Sequence, residues 1–380
     1  MQRYLSLRVQ TALYISIFFL GLHHVFVYFT NSSIMTEFFH LTTYNVMAVY
    51  GLASIFGVCV YLMLSRYHAK ATRTKERIYL ATTLEFVCLA IMYTVTALNY
   101  IPTAYVLPLY LTAFAFHHAI TPYILFNLDK LFEDYTHIED RGKGRGIYLT
   151  VWNTPFVVVP IMLTTLTTST LPITYVVSFC LLIPFLILIS SYIQNPTDET
   201  EIPMTNSATL EHVGVRQKLA RFWADKLDRK AFITQSTLHL YYGVTGVMLP
   251  IYLYNRFGFE WDHIGMLLAA ILIPFILVQI PFGRIEDRQH NEKQLFFWGV
   301  VITLIFTVAA TFVSPDLGSG NAFLLLLSTL FISRIGCSLI EIATETLFYK
   351  HVTQRDEFAL LMFRAGRLIP YALGSIFIFF

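Results

Sequence analysis

Long apolar runs, each closed by a short polar stretch, divide this chain. A helix needs about 20 mostly apolar residues to cross a bilayer. Eleven runs meet that length: 11–30, 44–64, 78–98, 104–126, 147–167, 172–193, 231–254, 263–282, 295–313, 322–346 and 360–380. None alternates with period two, the mark of a membrane barrel strand, so each run predicts an α-helix. The first follows Arg3 and Arg8 and is long enough to span. Thr30-Asn31-Ser32-Ser33 after it forms no small-x-small cleavage site, so the run reads as a membrane helix rather than a leader.

Lysine and arginine placement orients the spans. With the N-terminus in the cytoplasm, 22 of the 26 Lys and Arg fall in inside segments and one, Arg256, falls outside. The other three, Arg334, Arg364 and Arg367, lie in or at the edge of spans. One misplaced span would invert every later loop, so this asymmetry supports both the count and the topology. The expected location is a plasma membrane, crossed many times.

Composition agrees. Of 380 residues, 56% are hydrophobic and 13% charged, about half the charged share of a soluble domain. A net charge of +2 predicts no nucleic-acid partner. Cys59, Cys88, Cys180 and Cys337 all sit inside apolar runs without metal or disulfide spacing and read as small buried packing residues. No cofactor or metal is expected, and no P-loop is present.

The spans group as six and five around a polar stretch. The predicted units are 1–194, a six-helix bundle; 195–230, a cytoplasmic linker; and 231–380, a second bundle with five helices. In the linker, Val215, Leu219, Phe222, Trp223 and Leu227 recur at helical spacing, with Arg216, Lys218, Arg221 and Lys226 on other faces. Such a basic amphipathic helix is expected to lie on anionic headgroups. The halves also repeat. Lys130-Leu131-Phe132 with the Thr136–Asp140 stretch matches Thr346-Leu347-Phe348 with Thr353–Glu357, and Pro155 matches Pro370, at offsets of 215 to 217 residues. Two parallel six-helix repeats form a transporter architecture with its site between them near the midplane.

The loop Gly283-Arg284-Ile285-Glu286-Asp287-Arg288 is similar to the signature of the major facilitator superfamily, and Gly258-Phe259 through Gln279 resembles that family's eighth helix. The resemblance implies an all-α integral membrane fold of two pseudo-symmetric six-helix bundles, here with eleven helices. It also implies a chain lacking the twelfth helix. It further implies that Asp287 pairs with the positive end of the eleventh helix, Phe363-Arg364-Ala365-Gly366-Arg367-Leu368-Ile369-Pro370. Ser65 stands where the first-half loop would carry its aspartate, and Trp152-Asn153-Thr154-Pro155 lacks the glycine-rich antiporter signature.

Ionisable groups at membrane depth are expensive and tend to line pathways. Those here are Glu85, His117, His118, His239, Arg334 and Glu341, with Asn153 and Gln235 as neutral companions. A charge such as Arg334 near a span centre costs about 2.5–3.5 kcal/mol on insertion scales. Ser338, Glu341 and Glu345 follow it along one helical face. Arg334 is the expected binding charge for an anionic group, and a carboxylate or histidine the expected proton carrier. Gly283, Asp287, Arg288, Arg364, Arg367 and Glu345 form the expected structural gate. His23 and His24 are expected at the interface, and the charges of 129–145 in a solvated loop. The resemblance thus implies secondary active transport of a small solute by a lipid-embedded monomer, with H+ as the candidate coupling ion. A polytopic lipid or glycan transferase and a transporter-like sensor are the competing readings.

Overall fold

The computed structural model describes all residues except 1, 65–73, 98–100, 137–139, 164–169, 194–213, 290, 353–356 and 378–380. Ser65, the polar part of the linker, and much of the Thr136–Asp140 and Thr353–Glu357 repeat lie outside the described residues.

Among the described residues, every expected span lies mostly in helix. The first six are α1 (Gln2–Ser33), α2 (Thr43–Leu64), α3 (Thr74–Ala97), α4 (Thr103–Asp134), α5 (Arg141–Leu163) and α6 (Ile173–Tyr192). A short α7 (Val215–Ala224) precedes α8 (Lys226–Phe257), α9 (Trp261–Leu277), α10 (Gln279–Gln289) and α11 (Glu292–Thr311). The chain continues through α12 (Ser319–His351), α13 (Glu357–Ala365) and α14 (Ile369–Phe377). Among the described residues, eight helical segments are long and apolar enough to cross a membrane.

Two expected spans are broken, each beside a proline. Pro281 offers no N–H to the carbonyl of Leu277, where α9 gives way to α10; Pro370 likewise offers none to the carbonyl of Gly366, between α13 and α14. The linker helix is shorter than its pattern. Asp225 stops α7 and caps α8, its Oδ1 accepting from the amides of Leu227 at 2.8 Å and Asp228 at 3.0 Å. The amides of Asp228 and Leu227 hold this carboxyl below its ordinary range. The eighth helix therefore begins at Lys226, inside the expected linker. On α7, Phe222 is buried against the rings of Phe232 and Phe358, so that part of its apolar face meets protein. Arg216 and Arg221 face outward.

The described residues form two compact units, each drawing on both halves of the sequence. One comprises Met1–Thr136, Thr167–Thr237 and His351–Phe380. In it α1 packs on α6, α3 on α4 and α6, and α2 on α4 and α14. Leu13, Ile17 and Leu20 of α1 and Leu182, Phe185 and Ile189 of α6 are buried. Asn31 Oδ1 accepts from the hydroxyls of Tyr110 at 3.0 Å and Tyr175 at 2.8 Å, which satisfies three buried polar groups. The other unit comprises His137–Leu166 and Leu238–Lys350. There α5 lies along α9 and α10. Leu253 of α8, Ile264, Leu267 and Ile271 of α9, and Leu326 and Leu330 of α12 form its core.

Large apolar side chains also face outward along whole helices: Leu52 and Met63 on α2, Leu80 and Leu84 on α3, and Phe297, Trp298, Leu304 and Ile305 on α11. Patches of that extent suit lipid, not water. Cys59 and Cys180 belong to these exposed faces, contrary to the expectation that all four cysteines are buried; Cys88 and Cys337 are buried, and the four are free thiols.

Candidate functional site

In the first unit, α1, α3 and α4 bring His23, Glu85 and His117 together. Nδ1 of His117 is 2.5 Å from Glu85 Oε1, and Nε2 of His23 is 3.3 Å from the same oxygen. All three side chains are buried. Glu85 and His117 were expected in the membrane interior; His23 was expected at the interface and instead sits in the core. Its signal was available. Counting back from the cluster along α1, His23 shares a face with Leu20 and Val27, which are fully buried. His118 points elsewhere, its Nε2 2.9 Å from Ser54 Oγ and its ring against Tyr50 and Phe114.

In the second unit, α12 carries Arg334 into an aromatic corner. Its Nη2 donates to Thr245 Oγ1 at 2.5 Å, and the guanidinium lies 4.9 Å from the Tyr241 ring and 5.4 Å from the Tyr242 ring. Cation–π contact of this kind contributes about 2 kcal/mol or more when desolvated. Arg334 is only 5% exposed, and among the described residues no carboxylate lies within ion-pair distance of it. Two turns further along α12, Glu341 accepts from Gln279 Nε2 at 2.8 Å, and Gln279 Oε1 accepts from Asn153 Nδ2 at 3.3 Å. This chain ties α12 to the α9–α10 break and to α5. His239 meets Tyr242 ring to ring at 5.4 Å. Gln235 is buried on α8 in the first unit.

The charged residues expected to form one gate divide into two groups. Asp287 does bind the N-terminus of a helix, but that helix is α5 and not the eleventh. Its Oδ1 accepts from the Gly142 amide at 2.8 Å and its Oδ2 from the Lys143 amide at 2.6 Å. Helix N-terminal amides favour an anion there. Gly283 is what permits the approach. A Cβ on Gly142 would stand 2.6 Å from the Gly283 carbonyl oxygen, and the reverse contact is tighter still. Lys350 flanks the cap, 3.6 Å from Asp287 and 2.8 Å from Glu292. Arg145 of α5 faces Glu345 of α12 at 3.8 Å and lies 3.2 Å over the Tyr349 ring, while Arg141 donates to the Tyr349 carbonyl. Arg288, expected in the gate, is exposed and has no ion pair among the described residues.

The second group is in the first unit. Arg364 of α13 holds Asp129 of α4 with two donors, Nη2 reaching Oδ1 at 2.7 Å. Lys130 pairs with Glu357, which Arg77 approaches at 3.7 Å. Arg367 is half-buried beside them in sequence. Asp129 and Arg145 were expected in a solvated loop, yet both are fully buried. The repeat offset could have found Asp129, since it stands 216 residues before Glu345. The acidic members of the two pairs, Asp129 and Glu345, are thus related by the internal repeat, whereas Arg364 follows Arg145 by 219 residues.

Comparison with known proteins adds the family. A model of the Major Facilitator Superfamily matches residues 127–375. The chain belongs to that superfamily. Its members are transporters, so this multi-pass membrane protein is a secondary transporter and not an enzyme. No curated protein matches it by sequence. Among solved structures, the human organic anion transporter TETRAN shares 11% identity with a TM-score of 0.72, covering 98% of this chain and 92% of that one. A bacterial homologue of the iron transporter ferroportin, in its outward-facing state, shares 14% with a TM-score of 0.71, covering 97% and 92%. The proton:xylose symporter XylE shares 11% with a TM-score of 0.71, covering 100% and 89%. At these identities the likeness is one of fold.

Proposed function

We propose that this superfamily member moves a small organic anion across the plasma membrane by alternating access, as a monomer surrounded by lipid, with its N-terminus in the cytoplasm. The halves 1–194 and 231–380 rock about the linker, and protons drive the cycle. One observation carries the reading: Arg334 is a buried, permanently charged group that meets two tyrosine rings, the Thr245 hydroxyl and the Cys337 thiol. A buried cation without a carboxylate is expensive, and an anionic group of the solute offsets that cost. The human organic anion transporter and the proton symporter among the structural neighbours are consistent with an anionic cargo and a proton couple.

Glu341, seven residues from Arg334 on the same helix, is the proposed proton carrier, its charge answering to Gln279. Each charge cluster joins residues of 1–194 to residues of 231–380, and its ion pairs part during the cycle. Uptake into proteoliposomes over a panel of organic anions, with and without a pH gradient, tests the reading. An anion should accumulate with wild type and not with Arg334→Ala. Glu341→Gln should keep solute exchange at equilibrium and lose accumulation driven by the pH gradient. Undiminished anion uptake by Arg334→Ala removes Arg334 from the site.

A further inference from the structure

The cluster on α1, α3 and α4 carries more than a structural ion pair requires. A carboxylate held between helices needs one imidazole, and His117 supplies it at 2.5 Å. His23 brings a second imidazole to the same oxygen at 3.3 Å, yet neither of its ring nitrogens meets hydrogen-bond geometry, and Oε2 of Glu85 also has no partner among the described residues. His23 and Glu85 are 0% exposed. Burying polar atoms without partners destabilises a fold, and such groups in a folded protein ask for an occupant.

The three residues each offer one donor atom, and these atoms lie within 4.8 Å of one another. We infer that His23, Glu85 and His117 bind a divalent transition-metal ion of the Zn2+ class. The donor set decides the class. Two imidazole nitrogens and one carboxylate oxygen suit Zn2+ and its first-row neighbours, whereas Ca2+ and Mg2+ require shells built mostly of oxygen. Donors about 2.0–2.2 Å from a tetrahedral ion stand about 3.3–3.6 Å apart. His23 and Glu85 already have that separation. His117 and Glu85 reach it when the carboxylate or imidazole moves outward by about 1 Å. Three protein ligands leave the fourth position open. Cys88, buried one turn along α3 from Glu85, lies beside that cluster on the same helix. This site belongs to the first unit and Arg334 to the second, so the inference stands apart from the anion pocket.

The test uses full-length protein purified without a polyhistidine tag, stripped with chelator and titrated with ZnCl2. Wild type should bind one Zn2+ per chain at saturation, and His263→Gln, on α9 of the other unit, should match it. Glu85→Gln and His117→Ala should each weaken binding at least tenfold. X-ray absorption at the zinc edge of the wild type should show scattering from two imidazoles, and this reading stands even if the variants fail to fold. No saturable Zn2+ in wild type, unchanged binding by both variants, or a spectrum without imidazole scattering overturns the inference.

Discussion

Arg364 and Asp129 show how much rides on single buried charges. The guanidinium is 1% exposed and the carboxylate 0%, so neither can turn to water when its partner is lost. Breaking such a pair costs about 3–5 kcal/mol, while replacing both members by apolar groups is often close to neutral. Asp129→Asn should therefore lower the thermal midpoint of the detergent-solubilised protein sharply, and Asp129→Asn with Arg364→Met should recover most of the loss. Equal losses in the single and double variants would show that the pair does not couple these positions. Charges of this kind were unevenly legible. Glu85, His117 and Arg334 stood out because each interrupts an apolar run. Asp129 and Arg145 did not, because the charges around them gave the stretch the look of a solvated loop, and burial of a charge at a helix end leaves no mark on hydrophobicity.

At the level of elements, contact between α5 and α10 depends on an absence of side chains. Gly142 and Gly283 face each other backbone to backbone, and Gly146 lies against the Gln279 carbonyl, so the two helices approach as small-residue helix pairs do in membranes. A methyl group on Gly283 meets the Gly142 carbonyl, which belongs to a helix and cannot give way alone. Gly283→Ala should push α5 from α10, weaken the Asp287 cap and lower both thermal stability and transport. Gly320→Ala, whose methyl would meet nothing within 4 Å, should change neither. Similar thermal midpoints for the two variants would sink this account of the contact. The sequence supplied Gly283 and Asp287 through a short motif but assigned the cap to the eleventh helix. Helix pairing is set by three-dimensional approach, and the Gly142-x-Gly144-x-Gly146 spacing on α5 was the local sign of it. Helix positions were legible throughout, because lipid imposes long apolar runs. The interruptions between α9 and α10 and between α13 and α14 were less so, since their residues remain apolar and only Pro281 and Pro370 mark them.

For the whole molecule, family membership fixes the class of activity, and the polar interior supplies the proposed particulars. Arg334, Ser338 and Glu341 run along one face of α12, and a solute pathway must expose that face first to one side of the membrane and then to the other. The most direct measurement replaces Ser338 by cysteine in a background without other cysteines, and applies a membrane-impermeant thiol reagent to right-side-out and inside-out vesicles. Alternating access predicts labelling from both sides, with a transported solute shifting the balance between them and Arg334→Ala abolishing that shift. Labelling from one side alone under every condition, or no labelling from either, would contradict it.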